Sequence, residues 1–496
     1  MPARRPLQRR AESRPRRAAS APVPGSASPV RLRVEFDPRA GVPAVRVQHR
    51  LVPLPGALPG EVAFVAVSRR RGTVGAELVE VLTPSPDRVV PRCRHEGQCG
   101  GCGWQHMRYD AQLRLKRERL ASLLREALGR AAPPVAPVIA AGGGTRDDTG
   151  APWGFRSKVH FVFATDEQGR LALGHYRRGS SAALPVVECP VHAPSGNDTA
   201  CAVRDALRAA GIEAWSAPRG RGLARHLVVR VAPASGERLA TLVVTDAADT
   251  RLRRATRAVL AGPAAPDGWH INVHAGPGSW LFGPETRHLH GRARLREHVA
   301  GATFLVSPTA FFQTNVAAAA ALVDVVLGAI TVAGAREVLD LFAGAGLFAL
   351  PLSKAGCRVT AVEENPAAVA DGEASRAFSQ VDPRACRFIR ARAEDYVARL
   401  PRAARASAGV EAIVLDPPRE GCGGGLLAGV LHALNPAVAV YVSCEPAALS
   451  GDLAALRAAG LLGGPHARYG ISAVRPIDMF PHTPHIETVV VLRRHP

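Results

Sequence analysis

The chain is predicted to be α/β: a Rossmann-like C-terminal domain, a small N-terminal β-barrel of the oligonucleotide-binding kind, and a central α+β domain between them. Three observations carry this. Beyond about residue 300, short apolar β-rich runs alternate with helical stretches, the pattern of βαβ units around a parallel sheet. One such run ends in Asp-x-Phe-x-Gly-x-Gly, from Asp340 to Gly346. From Arg31 to Leu82, short alternating strands are broken by Pro53, Pro55, Gly56, Pro59 and Gly60, as in a small closed barrel.

With 496 residues the chain has room for several cores, and the composition shifts suggest an arm at 1–29, a barrel at 30–85, a central domain at 86–300 and a final domain at 301–496. A formal charge of +21 implies an acidic partner, most economically nucleic acid. Lysine occurs only at Lys116, Lys158 and Lys354, so a GC-rich genome accounts for the choice of arginine, but not for 63 cations over 42 acids. No run of eighteen apolar residues exists, so no membrane span is expected. Nine cysteines without a secretory signal point to a reducing cytoplasm and to metal or catalytic use of some of them. Met1 to Val30 carries seven arginines and one acid, Glu12; it reads as a disordered basic arm for RNA or as a transit peptide.

In order, the barrel strands are Leu32–Phe36, Glu61–Val67 and Ala76–Val81, with Arg69, Arg70 and Arg71 as a cationic edge. Cys93-Arg-His-Glu-Gly-Gln-Cys99-Gly-Gly-Cys102 then gathers three thiols, most of an iron–sulfur or metal site. Cys189, followed by Pro190, suits the fourth place better than Cys201, which opens a helical run to Ala210. Zinc competes, although only one paired two-residue spacing is present; a disulfide is the weakest alternative. Tyr109–Leu128 is an amphipathic helix with Leu113, Leu120, Leu124 and Leu128 on one side and Arg114, Lys116, Arg117 and Arg119 elsewhere. Residues 131–149 read as a flexible loop. The strands Phe155–Phe163, Leu171–Arg178, Arg225–Arg230 and Arg238–Val244 suggest an antiparallel sheet with a cationic face.

Val316–Ile330 is predicted as a helix, Leu347–Ala355 as the helix after the glycine turn, and Cys357–Val362 as a strand ending in Glu363, where a carboxylate can take both ribose hydroxyls. A glycine turn alone fits a dinucleotide as well. The missing third glycine, replaced by Ala349, and the later Asp416-Pro-Pro-Arg419 favour S-adenosylmethionine. The strands Ala412–Leu415 and Val438–Val442 deliver Asp416 and Cys444 to one sheet edge, and Glu487 enters at the start of a last strand, Thr488–Leu492. A lone cysteine is more often structural, but this one lies among Ser443, Glu445 and the Asp416 loop. Thiol, carboxylate and methyl donor form the set required to alkylate a pyrimidine at carbon 5: a thiolate adds to carbon 6, carbon 5 becomes nucleophilic, and a base removes its proton.

On these motifs the chain resembles the RNA uracil-C5 (5-methyluridine) methyltransferases, and within them the iron–sulfur ribosomal RNA branch, from about residue 31 to the end. Val52-Pro-Leu-Pro-Gly-Ala-Leu-Pro-Gly-Glu61 resembles the barrel called TRAM. The resemblance implies that Cys93, Cys99, Cys102 and Cys189 hold a [4Fe-4S] cluster that shapes an RNA-binding surface without redox chemistry. It implies that Gln313, Phe342, Glu363 and Asp416 contact S-adenosylmethionine, that Cys444 is the nucleophile and that Glu487 is the proton acceptor. Glu445 stands where Asn or Asp is usual, Ala448 and Gly451 replace a threonine and an arginine, and Leu347 replaces an Asn. The expectation is a cytoplasmic enzyme methylating uridine in ribosomal RNA. The alternatives are a transfer RNA enzyme, a radical enzyme using the cluster, or a non-catalytic RNA-binding or ribosome-assembly protein.

Overall fold

The structure, a computed structural model, describes residues 28–70, 72–216, 219–276, 281–400, 409–464 and 466–495. Residues 1–27 of the expected arm, and Arg71, lie outside them. Near the N-terminus, β1 (Val30–Asp37), β2 (Val42–Val47), β3 (Arg50–Pro53), β4 (Val62–Arg70) and β5 (Thr73–Thr83) form a curled antiparallel sheet in the order β3-β2-β1-β4-β5. Its core is small: Val34, Val45, Leu54, Ala57, Ala63 and Val65. Glu61 staples it, because its buried carboxylate accepts from the Leu58 and Ser85 amides and from the Arg88 guanidinium.

α1 (Tyr109–Leu128) follows and occupies the predicted residues. Next come β6 (Lys158–Thr165), β7 (Leu171–Tyr176), β8 (Ala183–Pro185), α2 (Pro194–Ala209), β9 (Ala224–Val231), β10 (Arg238–Val244), α3 (Arg251–Ala261), β11 (Gly268–Val273) and β12 (Glu285–Gly291). The strands form one sheet, β8-β7-β6-β9-β10-β11-β12, with α2 and α3 on one face over Val159, Phe161, Leu227, Val229, Leu242 and Ile271. The sheet is mixed rather than antiparallel, since β10 and β11 run parallel, joined by the α3 crossover. Its expected cationic face is covered only in part: Arg225 and Arg230 are buried, Arg230 donating to the Ala310 carbonyl, whereas Arg177 and Arg178 are exposed. The helix carrying Cys201 begins at Pro194, seven residues earlier than expected, because a proline at the first helical position is already held at a helical φ.

A hairpin of β13 (Leu295–Val299) and β14 (Ala302–Val306), not anticipated from the sequence, leads into α4 (Val316–Val332). The last sheet holds β15 (Glu337–Leu341), β16 (Arg358–Glu363), β17 (Cys386–Arg390), β18 (Ala412–Leu415), β19 (Val438–Ser443), β20 (Tyr469–Ile477) and β21 (Glu487–Arg494) in the order β17-β16-β15-β18-β19-β21-β20. The first five of that order are parallel and β21 is antiparallel to β19. Both faces are covered, which is why these strands are apolar throughout rather than alternating. Val338, Val414, Val440, Val489 and Val491 pack towards α4 and α5 (Ala349–Lys354). Leu339, Ile413, Leu415, Tyr441, Val490 and Leu492 pack towards α7 (Ala393–Arg399), α8 (Gly424–Leu434) and α9 (Pro446–Ala458), with α6 (Pro366–Phe378) beside β17. The helix after the glycine turn starts at Ala349 rather than Leu347, because Gly346, at φ +85°, still belongs to the turn.

Two segments behave differently from their reading in the sequence. α1 precedes the central sheet in the chain, yet its Leu120, Leu124 and Leu128 pack into the C-terminal core against α9. Lys116 and Arg119, which the sequence places off the leucine side of the helix, are buried. The stretch 131–149 is also no free loop: its backbone runs beside β20, with Ala136 N donating to Val474 O, Ile139 N to Pro476 O and Asp478 N to Ile139 O. Among the described residues no helix is long and apolar enough to cross a membrane.

Burial would raise the Glu61 pKa, but the Arg88, Ser85 and Leu58 bonds outweigh it and hold the carboxyl below its ordinary 4.5. Its stabilising contribution is therefore complete above that value and is lost as pH falls below it. Replacing Glu61 by Ala should cost the N-terminal sheet about 2–3 kcal/mol. Faster hydrogen exchange of the β1 and β4 amides, with no change in the C-terminal sheet, is the expected measurement.

Candidate active site at the carboxyl edge of the C-terminal sheet

The parallel strands all end at one edge, and the predicted residues line it in spatial order. Glu363 closes β16, Phe342 follows β15, Asp416 follows β18 and Cys444 follows β19. The Asp416 amide donates to the Leu341 carbonyl (3.3 Å), tying that loop beside the glycine turn. β21 runs the other way, so its first residue, Glu487, also lies at this edge. Ser443 pairs with Thr488, and continuing that register by one residue sets Cys444 opposite Glu487. Opposite residues of an antiparallel pair project to the same face with Cβ atoms about 5 Å apart.

The turn beside them is shaped for a ligand. Phe342, at φ +62°, is held in a region that non-glycine residues seldom occupy, and Gly344 and Gly346 have φ of +55° and +85°. A Cβ on Gly344 would meet open space, whereas one on Gly346 would lie 2.7 Å from the Phe388 ring. Gly344 therefore leaves room above the turn, and Gly346 lets the turn close on its support. Glu363 orients itself on the backbone: Oε2 accepts from Gly344 N (2.9 Å) and Oε1 from Asn365 N (2.8 Å), each oxygen keeping a lone pair for a ligand hydroxyl. Gln313 is buried just before α4, whose cap, Asn315, accepts from Ala318 N and donates to Met479 O (3.3 Å). Under the turn lies Asp340, fully buried; the Ala349 amide faces it, yet neither carboxylate oxygen closes a hydrogen bond. An open glycine cradle over an orphaned acid suits S-adenosylmethionine, whose ribose needs a carboxylate and whose sulfonium is cationic.

The edge is acidic. Burial first, then their mutual repulsion, raises the Glu487 pKa, and burial raises that of Asp416. Asp340 is raised as well, by burial and then by Asp416. The half-buried Cys444 thiol is pushed up to about 11 by burial, Glu487 and Asp416, with Arg419 opposing. A cation bound at this edge would favour the ionised form of all four.

The four candidate ligands, Cys93, Cys99, Cys102 and Cys189, line one cavity of about 290 Å³, walled also by Arg156, His160, His175 and Tyr176. All four are free thiols. Burial raises Cys102 to about 12 and Cys189 to about 11, and neighbouring thiols push both further in that direction. Among the described residues no group of three or more His, Cys, Asp or Glu side chains is arranged to hold a metal ion.

Three residues escaped the sequence reading. Asp340 was quoted only as part of a glycine motif, although an acid inside an apolar strand is itself a signal. Glu445, noted as a departure, caps α9 by accepting from Ala447 N (3.5 Å) and receives Arg119 Nη2 at 2.8 Å. Asp452 accepts from Tyr441 Oη (2.6 Å) and Cys422 N (2.9 Å), pinning the end of the Asp416 loop to α9, which no local pattern foretells.

Fold and edge together define the class, a Rossmann-like methyltransferase that uses S-adenosylmethionine. Comparison with known proteins narrows it. The family described as tRNA (uracil-5-)-methyltransferase matches residues 297–495. An uncharacterised RNA methyltransferase of Gloeobacter violaceus is 31% identical over 446 residues, 90% of this chain and 92% of that one. Another, from Thermosynechococcus vestitus, is 32% identical over 93% and 97% of the two chains. The Pyrococcus abyssi tRNA (uracil-54, C5)-methyltransferase, solved with S-adenosyl-L-homocysteine, shares the fold with a TM-score of 0.70 at 22% identity, over 94% of this chain and 99% of that one. The chain belongs to the RNA uracil-C5 methyltransferase family.

Because Glu487 raises the Cys444 pKa, Glu487→Gln should lower it and increase the thiolate fraction. At mildly alkaline pH, alkylation of Cys444, followed by peptide mass spectrometry, should then be severalfold faster than in the unaltered protein.

Proposed function

We propose that the protein methylates carbon 5 of a uridine in RNA, ribosomal RNA foremost, through a covalent bond between Cys444 and carbon 6 of the ring. The observation that carries this is the neighbouring of Cys444 and Glu487 across two antiparallel strands, beside the glycine turn. As thiolate, Cys444 Sγ bonds to carbon 6, and the ring electrons move to the 4-oxygen, leaving carbon 5 nucleophilic. S-adenosylmethionine, when bound by Gln313, Phe342, Glu363 and Asp416, supplies the methyl group that carbon 5 takes. Glu487, whose raised pKa makes its carboxylate a stronger base, then removes the carbon 5 proton. The carbon 6–sulfur bond breaks, the double bond returns, and the thiolate is regenerated.

In this reading the N-terminal sheet is a TRAM-type, oligonucleotide-binding barrel, which the net charge of +21 supports. Cys93, Cys99, Cys102 and Cys189 hold a [4Fe-4S] cluster that supports the RNA-binding surface of the central domain, in a cytoplasmic protein. The division at residues 30, 86 and 301 belongs to the same proposal. Transfer RNA is the second substrate, favoured by the description of the matching family.

Cys444→Ala should reduce turnover by at least about a thousandfold, and full activity in that variant would overturn the mechanism. Glu487→Gln should instead accumulate a protein–RNA adduct that survives denaturing electrophoresis. Mapping 5-methyluridine in ribosomal and transfer RNA, from cells with and without the gene, decides between the substrates. Protein purified without oxygen should be brown and contain iron and acid-labile sulfide, all lost in Cys93→Ala.

A further inference from the structure

Four buried polar side chains on α1 stand at intervals of three, four and three residues, Tyr109, Gln112, Lys116 and Arg119, and so form one stripe along the helix. Each is spent on a segment of the active edge. Tyr109 Oη donates to Asp478 Oδ2 at 2.8 Å and Lys116 Nζ to Asp478 Oδ1 at 2.6 Å, with a second bond from Nζ to the Phe480 carbonyl at 3.0 Å. Gln112 Oε1 accepts from His482 N at 2.8 Å. These contacts fix the segment that ends in Glu487. One turn further, Arg119 Nη2 donates to Glu445 Oε1, the residue after Cys444. One rigid helix thus holds the segments that present the thiol and the carboxylate.

Stability does not explain the stripe. A fully buried ion pair such as Lys116–Asp478 is commonly matched or bettered by packed apolar side chains, whereas it fixes geometry well. The segment it fixes is also conformationally demanding: His482 is buried at φ +64°, stacked on Trp153 (4.3 Å between rings) and bonded to the Pro152 carbonyl. The helix in turn follows the thiol-rich segment, where the Gly103 and Trp104 amides donate to the His482 carbonyl and Gln112 Nε2 to the Trp104 carbonyl.

We propose that Lys116 and Arg119 are positioning residues that set the reach between Cys444 and Glu487, Arg119 acting on formation of the covalent adduct and Lys116 on its release. This rests on the roles proposed for Cys444 and Glu487. A displacement near 1 Å at either end suffices for a roughly hundredfold loss in the affected step.

The test uses the full chain in single turnover, with unmethylated 23S ribosomal RNA transcribed in vitro and transfer RNA as a second probe, resolving adduct formation from methylated-product release. Arg119→Met should slow adduct formation about a hundredfold and leave release unaltered within a few fold. Lys116→Met combined with Asp478→Asn, which leaves no unpaired buried charge, should do the reverse and accumulate adduct. Arg119→Lys and Lys116→Arg, which keep the charges, should show the same split at smaller size, and they decide the matter if the first variants do not fold. Equal loss of both steps, in proportion to the folded fraction in thermal melts, would overturn the proposal. Glu487→Gln, which alters no residue of the helix, separates the two levels. If it traps no adduct on either RNA, the catalytic roles fall and the positioning roles with them.

Discussion

One reversed strand makes this site possible. In a parallel sheet every strand reaches the carboxyl edge with its last residue, so the edge collects only strand ends. β21 is antiparallel to β19 and reaches the same edge with its first residue, Glu487. A thiol just past the end of one strand and a carboxylate that begins its neighbour are thereby brought side by side by the register of β19 and β21, although they lie 43 positions apart in the chain. The buried Val438–Val442 and Thr488–Leu492 runs enforce that register, because a slip of one residue would turn each strand's side chains to the opposite face.

The electrostatics of the edge follow from its geometry. Four strand ends side by side bring Asp340, Glu363, Asp416 and Glu487 together around an apolar sheet, and three of these acids are held above their ordinary pKa values. Such a cluster repels anions and disfavours the Cys444 thiolate. The glycine turn beside it is open above Gly344, and two amides hold the Glu363 carboxylate in one orientation.

Much of the fold was legible in the sequence, for identifiable reasons. Fully buried parallel strands are apolar runs bounded by Gly, Pro or Asp, so β15, β16, β18 and β19 stood out, and Tyr109–Leu128 has helical periodicity over five turns. The β13–β14 hairpin did not, because five-residue strands joined by Ala300-Gly301 carry little periodicity of their own. The parallel pairing of β10 with β11 was hidden, since α3 is rich in arginine and its apolar side amounts to Leu252, Ala255 and Val259. Residues 131–149 look like linker, yet backbone bonds to β20 leave no trace in side-chain composition.

The sequence by itself determined which residues reach the edge: a glycine turn, an acid at the end of the next strand, and a cysteine and a glutamate beside strand termini, because strand ends and turns are written in local residue choice. It did not determine what holds them in place. Lys116 and Arg119 lie off the leucine side of their helix in the sequence pattern, and only the packed molecule sets them onto Asp478 and Glu445, more than three hundred residues away. Periodicity records which face of a helix is apolar, but a buried ion pair interrupts the apolar face with charge, and its partner is chosen by tertiary contact alone.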